Sequence, residues 1–461
     1  MDRISLEKIA EVTRGHMISG DPSHVITDVS TDSRAAGKGS LFIPLIGENH
    51  DAHDFVAGAR QSGCSAFLIS EKEAAERIPG ADIVLVSDTL QAMQDLAHYY
   101  LTTLDVKKAA VTGSVGKTST RDMLWYTLSE MFKTGRPEKN YNNEVGVPLT
   151  IFSLDSSYKA VVLEEGLEKA GDIHRLSAIT RPDVCVITNI GISHIENLGT
   201  RENIFRAKLE VADFMLPGGK LIINSDSDFL SKENIDRDLD IIECGTDPKC
   251  DYYVHDVHDK GVDGVSFMLR TPEEEIRIDL PVPGAHNALN AALAAAAAEC
   301  FGASSDNIKN GLSKLSLTGK RLLVREGSGI KIIDDSYNAA PASMKSAVDT
   351  LMNTEGKRHV ALLAGMNELG ADSERYHREV GEYIKEKKVD VLVGVGEKAR
   401  AIVEGASGGD TYAVWFPEKE AFYSGMKDVI HTGDAVLVKG SNAYKMSEAA
   451  DRLLEPGALE D

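Results

Sequence analysis

An apolar run, Ala109-Ala110-Val111, leads straight into Thr112-Gly113-Ser114-Val115-Gly116-Lys117-Thr118-Ser119. Behind it, Leu124, Leu128, Met131 and Phe132 recur at helical spacing. A strand, a turn of small residues carrying Gly-Lys-Thr, and a helix together predict a phosphate-binding loop. Glycines let the backbone close around an anion, and the helix start offers free N–H groups. Lys117 adds positive charge, and the Thr118 hydroxyl is placed to ligate Mg²⁺. The full pattern of such loops has glycine where this chain has Val111, so the match is to a shortened form.

The 461 residues are enough for about three domains, and 42% hydrophobic with 26% charged residues is ordinary for a water-soluble globular chain. A net charge of -22 argues against a general binder of nucleic acid or of membrane surfaces. An anionic ligand must therefore be held by local sites. Cys64, Cys185, Cys244, Cys250 and Cys300 are scattered, with no C-x-x-C pair, which fits a reducing cytoplasm and no metal cluster. Met1-Asp2-Arg3 opens directly into an amphipathic segment, so no signal peptide is expected, and Ala291 to Ala298 is too short to span a bilayer.

Three segments follow from the pattern: 1–105, 106–317 and 318–461. The first mixes short helices and strands around the polar loops Thr31-Asp32-Ser33-Arg34 and Gly47 to Asp54. Ser33-Arg34 could grip a phosphate or form a solvated turn, and His50 with His53 is weak support for a metal. The second alternates apolar strands with helical patterns, the βαβ signature of a mostly parallel sheet. Polar residues gather where its strands end: Glu164-Glu165-Gly166 after Val161 to Leu163, and Gly191-Ile192-Ser193-His194 after Val184 to Asn189. Such ends are where open α/β sheets place ligands. Glu164 and Thr118 are hard oxygen donors suited to Mg²⁺. Taken singly, His194 also reads as a loop histidine, Lys208 as a surface charge, and His286, Asn287 and Asn290 as caps of an Ala-rich helix. The third segment repeats the alternation from Ile332 to Gly440 without a second phosphate loop, which predicts a doubly wound domain. A nucleotide loop with no hydrolytic motif leaves transfer of the γ-phosphate to a carboxylate as one outcome. The acyl phosphate so formed is open to attack by an amine, a scheme that needs positive charge and exclusion of water.

These motifs together resemble the Mur ligase family over essentially the whole chain. The most specific stretches are Asn142-Asn143-Glu144-Val145-Gly146-Val147-Pro148, Asn189-Ile190-Gly191 with His194, Ala207-Lys208 with Glu210, and Asp334-Asp335-Ser336-Tyr337-Asn338-Ala339 with Pro341. Gly365-Met366-Asn367-Glu368-Leu369-Gly370 and Val438-Lys439-Gly440-Ser441 add to them. The resemblance implies a three-domain α/β architecture: an N-terminal domain for a UDP-linked substrate, a central parallel-sheet ATPase domain, and a Rossmann-like C-terminal domain for the incoming amine. It also implies a bacterial cytoplasmic monomer that joins D-alanyl-D-alanine to UDP-MurNAc-tripeptide with ATP and two Mg²⁺ ions.

By the same resemblance, Gly113, Ser114, Val115, Gly116, Lys117, Thr118 and Ser119 would hold the ATP phosphates, with Thr118, Glu164 and His194 on metal. Lys208 would be carbamylated by CO₂ and help hold the second ion. His286, Asn287 and Asn290 would surround adenine, and Arg321 and Asp335 would reach ATP from the third domain. Asn142 and Asn143 would approach the peptide carboxylate or the phosphates, Thr31, Ser33 and Arg34 the uridine diphosphate, and Tyr337 and Asn338 the dipeptide. The chain departs from the family at Val115, usually Asn, and at Glu165, usually apolar. Glu165 either strengthens the metal site or points away. Ala52, Lys320 and Asn367 also differ from the common forms. Two alternatives stay open: a diverged ligase with another acid and amine, and a nucleotide-binding relative without turnover.

Overall fold

In the computed structural model of the chain, which describes residues 1–459, the phosphate-loop strand Lys107–Thr112 lies inside a nine-stranded sheet. Its neighbours Ala160–Glu164 and Val184–Ile187 both run parallel to it. The chain order reverses across this strand: Thr134–Gly135 and Ala160–Glu164 lie on one side, and Val184–Ile187, Lys220–Asn224 and Asp240–Gly245 on the other. Such a reversal opens a crevice at the carboxyl ends of the strands. Register brings those ends level, because Glu164 pairs with Val111 and Ile187 with Thr112.

These strands are apolar along their length because both faces are covered. Ala109 and Val111 turn toward Met123, Leu124 and the Ala-rich helix Asn287–Cys300. Ala110, Cys185 and Ile187 turn the other way, toward Ile173 and Ile204. Fully burying one such Val, Leu or Ile side chain contributes about 1.5–3 kcal/mol. The Ala-rich helix approaches the sheet closely because its side chains are a single methyl.

The first segment carries a five-stranded sheet from His16–Ser19 to Asp28–Ser30, with Asp82–Leu85, Ala66–Ile69 and Ser40–Phe42 between them. The third carries a six-stranded sheet in which Ile330–Asp335, Ala435–Lys439, His359–Ala364, Val391–Val395 and Tyr412–Phe416 run parallel, with Leu323–Gly327 as an antiparallel edge. One feature departs from the parallel expectation for the second segment. Tyr252–Asp259, Val265–Arg270 and Glu275–Leu280 extend the central sheet as an antiparallel ribbon. Along Glu275–Leu280 exposed and buried residues alternate, so one face is solvated, which antiparallel pairing allows. Among the described residues, no helix is long and apolar enough to cross a membrane.

Candidate active site

The loop after Lys107–Thr112 is fixed by the backbone it touches. Gly113 has φ +144°, and a Cβ there would lie 1.9 Å from the Thr188 hydroxyl oxygen, so only glycine fits. Gly116, at φ +87°, supplies the left-handed turn into the helix Lys117–Ser129. Asn189 braces the loop: its Oδ1 accepts the Val115 N–H at 3.0 Å, its Nδ2 donates to the Val115 carbonyl at 2.8 Å, and its own carbonyl accepts the Ser114 N–H. A neighbouring strand end thus supplies an amide to the loop at Val115. The first-turn N–H groups of the helix, which no intrahelical carbonyl can satisfy, face the crevice.

Lys117 Nζ donates to the Gly113 carbonyl at 2.8 Å. Burial lowers its pKa, with Glu164 opposing the shift and Arg321 adding to it. Glu164, at the end of its strand and 1% exposed, gathers three partners. Its Oε2 accepts from the Thr118 hydroxyl at 2.8 Å and Arg121 Nη1 at 3.2 Å, and its Oε1 from Asn142 Nδ2 at 3.0 Å. Two hard oxygen donors therefore already converge beside the phosphate loop, a donor set that suits Mg²⁺.

A cleft of about 800 Å³ opens above these groups, between the central and third sheets. Of the residues singled out in the sequence, Ser114, Val115, Gly116, Lys117, Thr118, Ser119, Asn142, Asn143, Glu164, His194, His286, Asn290, Arg321, Asp335, Tyr337 and Asn338 line it. His194 has φ +64°, and its Nδ1 lies 2.6 Å from Oε2 of Glu368, itself at φ +61°. That contact holds the Glu368 carboxyl below its ordinary range. Arg321 stacks over the Tyr337 ring at 3.8 Å, and Lys439 forms an ion pair with Asp335 while donating to the Asn338 carbonyl at 2.9 Å. Burial lowers the His286 pKa, which favours the neutral ring. Asn143 Oδ1 accepts the Gly146 N–H at 2.9 Å and so steadies the start of Gly146–Phe152.

The remaining expected residues are not on the cleft wall. Gly113 lies beneath it. Asn287 is fully buried, bonded to the Pro283 carbonyl and accepting from Asn290, so it acts through Asn290. Lys208, 1% exposed, lies behind the wall near Lys117; burial, and then the Lys117 charge, push its pKa well below the ordinary lysine value. Thr31, Ser33 and Arg34 sit apart in the first segment, where Arg34 makes a bidentate pair with Asp32 at 2.9 and 2.7 Å. Asp51, His53 and Glu71 cluster there too. His53 Nε2 accepts the Ser70 N–H at 3.0 Å, so its proton is on Nδ1, 2.7 Å from Asp51 Oδ1. Both ring nitrogens are engaged, which leaves no lone pair for a metal.

Glu165 points away from the cation site. Strand alternation turns it to the opposite face, where Oε1 accepts from Thr180 at 2.9 Å and Oε2 has no partner. Burial raises its pKa to about 8 from the ordinary 4.5. The folded chain thus keeps a proton that the unfolded chain releases, so this group costs stability as pH rises from about 4.5 to about 8. Glu165→Gln is expected to match the wild type in unfolding free energy near pH 5. It should exceed it at pH 9, by about 3 kcal/mol or more at the ordinary 1.36 kcal/mol per pKa unit. A difference that stays flat with pH would contradict this protonation.

Arg121, Asp122, Asn189, Glu368 and Lys439 stand at or directly behind the site without an individual role assigned from sequence. The signal available for Lys439 was a charge closing the apolar run Ala435 to Val438. Arg121 and Asp122 carried none beyond following the loop's Thr-Ser-Thr.

Family models match three consecutive regions: the Mur ligase family catalytic domain at 25–101, the Mur ligase middle domain at 111–298, and the Mur ligase glutamate ligase domain at 320–442. The chain is 35% identical over 460 residues to UDP-N-acetylmuramoyl-tripeptide–D-alanyl-D-alanine ligase of Bacillus subtilis, covering 99% of both. It is 32% identical to the Escherichia coli enzyme of the same name, covering 99% of this chain and 100% of that one. The crystal structure of MurF from Acinetobacter baumannii superposes with a TM-score of 0.91 at 30% identity, covering 99% of each chain. MurF of Thermotoga maritima in complex with ADP superposes at 0.82 and 26% identity, covering 94% of this chain and 97% of that one. With a braced phosphate loop, a cleft between two sheets and end-to-end likeness to these ligases, the chain belongs to the Mur ligase family.

Proposed function

We propose that the chain joins D-alanyl-D-alanine to UDP-MurNAc-tripeptide at the cost of ATP, giving the UDP-linked pentapeptide of peptidoglycan synthesis in the bacterial cytoplasm. The observation that carries this reading is the convergence of Lys117, Thr118 and Glu164 from the central sheet with Arg321, Asp335 and Lys439 from the third on one cleft. The end-to-end likeness to the named ligases supports the substrate pair.

The chemistry runs in two displacements. A carboxylate oxygen of the tripeptide attacks the γ-phosphorus of ATP, and ADP leaves with the bridging electron pair. The dipeptide amine then adds to the acyl carbon, and the tetrahedral adduct expels phosphate, the amine proton passing to phosphate or solvent. Lys117 and the first-turn N–H groups offset charge on the transferring phosphoryl group. Arg321 and Lys439 bring cationic charge from the other wall, and closure of the walls keeps water from the acyl phosphate. Thr118 and Glu164 would hold Mg²⁺, with His194 on a second ion once it parts from Glu368; the metal would supply Lewis acidity to the phosphates.

Lys208 suits carbamylation. Only the neutral amine adds to CO₂, and burial beside Lys117 favours that form. The nitrogen lone pair bonds carbon, one proton is released, and the neutral amine becomes a carboxylate-like anion that balances nearby positive charge. The domains divide at 1–105, 106–317 and 318–461, in the order UDP-substrate, nucleotide and amine binding.

The acyl phosphate is tested by labelling the terminal tripeptide carboxylate with ¹⁸O. One label should appear in released phosphate for each amide formed. Unlabelled phosphate would overturn the carboxylate as the phosphoryl acceptor.

A further inference from the structure

A set of ions, three buried and one (Arg136) half-buried, leads from the candidate metal carboxylate to the linker between the central and third sheets. Arg121 is 1% exposed and Asp122 is 0% exposed, both on the phosphate-loop helix. Arg121 Nη1 donates to Glu164 Oε2 at 3.2 Å, while its Nε and Nη2 donate to Asp122 Oδ1 at 3.1 and 2.6 Å. Asp122 Oδ1 also accepts from Arg136 Nη1 at 2.8 Å, and that guanidinium lies 3.8 Å over the Trp125 ring. The second carboxylate oxygen, Oδ2, accepts the backbone N–H of Thr318 at 2.8 Å, from a residue 196 positions along the chain. The Thr318 carbonyl in turn accepts Arg321 Nη1 at 3.1 Å, and Arg321 stacks on Tyr337 in the cleft.

The four side chains Arg121, Arg136, Asp122 and Glu164 balance in charge. Buried ions hold only while each keeps its partner, so a change at one end is felt along the set. A cation taken up by Glu164 draws on the same Oε2 that Arg121 uses and repels the guanidinium. Arg121 then depends more heavily on Asp122, the group that holds the linker amide.

We propose that Arg121 and Asp122 are positioning residues that couple cation binding at Glu164 to the hinge at Thr318, so that loading the nucleotide site stiffens the linker on which the third domain closes. This deepens the ligase reading and rests on its assignment of Glu164 to the Mg²⁺ site. By linkage, whatever the cation does to the hinge the hinge does to the cation.

Amide hydrogen exchange, read by mass spectrometry on the full chain, tests this. Arg121→Lys keeps the charge beside Glu164 but loses the fork onto Asp122, and the variant residue does not touch Thr318. Exchange at the Thr318 amide is expected to rise about tenfold, with the interior of Lys117–Ser129 unchanged. Mg·ADP should slow Thr318 exchange in the wild type by about threefold or more and have little effect in Arg121→Lys. Equal exchange at Thr318 in the two proteins, or equal responses to Mg·ADP, would overturn the coupling.

If Arg121→Lys does not fold, Thr318→Pro asks the question from the other end. It leaves the buried ions in place and removes the linker donor, while also fixing the backbone at 318 and restricting Leu317. The Mg·ADP dissociation constant is expected to rise by about threefold or more; an unchanged constant in the folded variant overturns the coupling. None of these readouts needs the acid or the amine, so a failure of ligation and a failure of the coupling are told apart.

Discussion

Lys117→Ala is expected to abolish ligation, lowering turnover by about 10³-fold or more, the scale on which removing a positioned cation or oxyanion donor slows group transfer. Lys117 Nζ lies 2.8 Å from the Gly113 carbonyl, so the ammonium spans the loop it serves. It is the cation that the loop itself supplies. Arg321 and Lys439 reach the cleft from the third segment, and Arg321 already acts on Lys117. Folding should survive, because burial already works against the Lys117 charge and alanine removes that cost. The check is ADP formation with both substrates present, beside a melting curve. Substantial turnover by the folded variant would contradict the loop's role.

The second large effect is expected at Lys208. Lys208→Ala should lose about 10²-fold in turnover, the order seen when a group supporting a metal's ligands is removed. Added formate or acetate should restore part of it. A plain structural lysine would not respond to a small carboxylate, and a loss caused by disturbed packing would not be rescued by one. The proposed carbamate would answer the charge around it. Lys117 lies close, Arg321 acts on the same region, and Lys208 is buried with its pKa driven down. Full activity of Lys208→Ala without additive would remove the carbamate from the account.

Much of this was legible because the informative signals are local. The strand, the Gly-Lys-Thr turn and the following helix lie within one short stretch, and each residue's type follows from what the loop does to its own backbone. Gly113 shows this best: its φ of +144° is a backbone conformation that favours glycine. Glu164 was readable too, because a carboxylate closing an apolar parallel strand stands at the ligand end of the sheet.

Glu165 was not readable. One step along a strand reverses the face, and only the register with Val111 shows that Glu164 meets Thr118 while Glu165 meets Thr180. Arg121 and Asp122 were hidden for another reason. Adjacent charges on a helix ordinarily read as solvated, and here they are buried because their partners, Glu164, Arg136 and Thr318, arrive from distant parts of the chain. The ribbon Tyr252–Leu280 escaped notice because a strand's own sequence gives little hint of the direction of its partner, which is fixed by pairing with residues elsewhere in the chain. His50 and His53 looked alike in sequence, and only the Ser70 N–H shows that His53 is occupied.

The central claim is tested most directly by incubating the protein with ATP, Mg²⁺ and UDP-MurNAc-tripeptide, with and without D-alanyl-D-alanine, and measuring phosphate release and product mass together. The account predicts release that needs both partners, with one UDP-MurNAc-pentapeptide formed for each phosphate. Absence of release with both partners, using either the diaminopimelate or the lysine tripeptide, or release without a new amide, would contradict it.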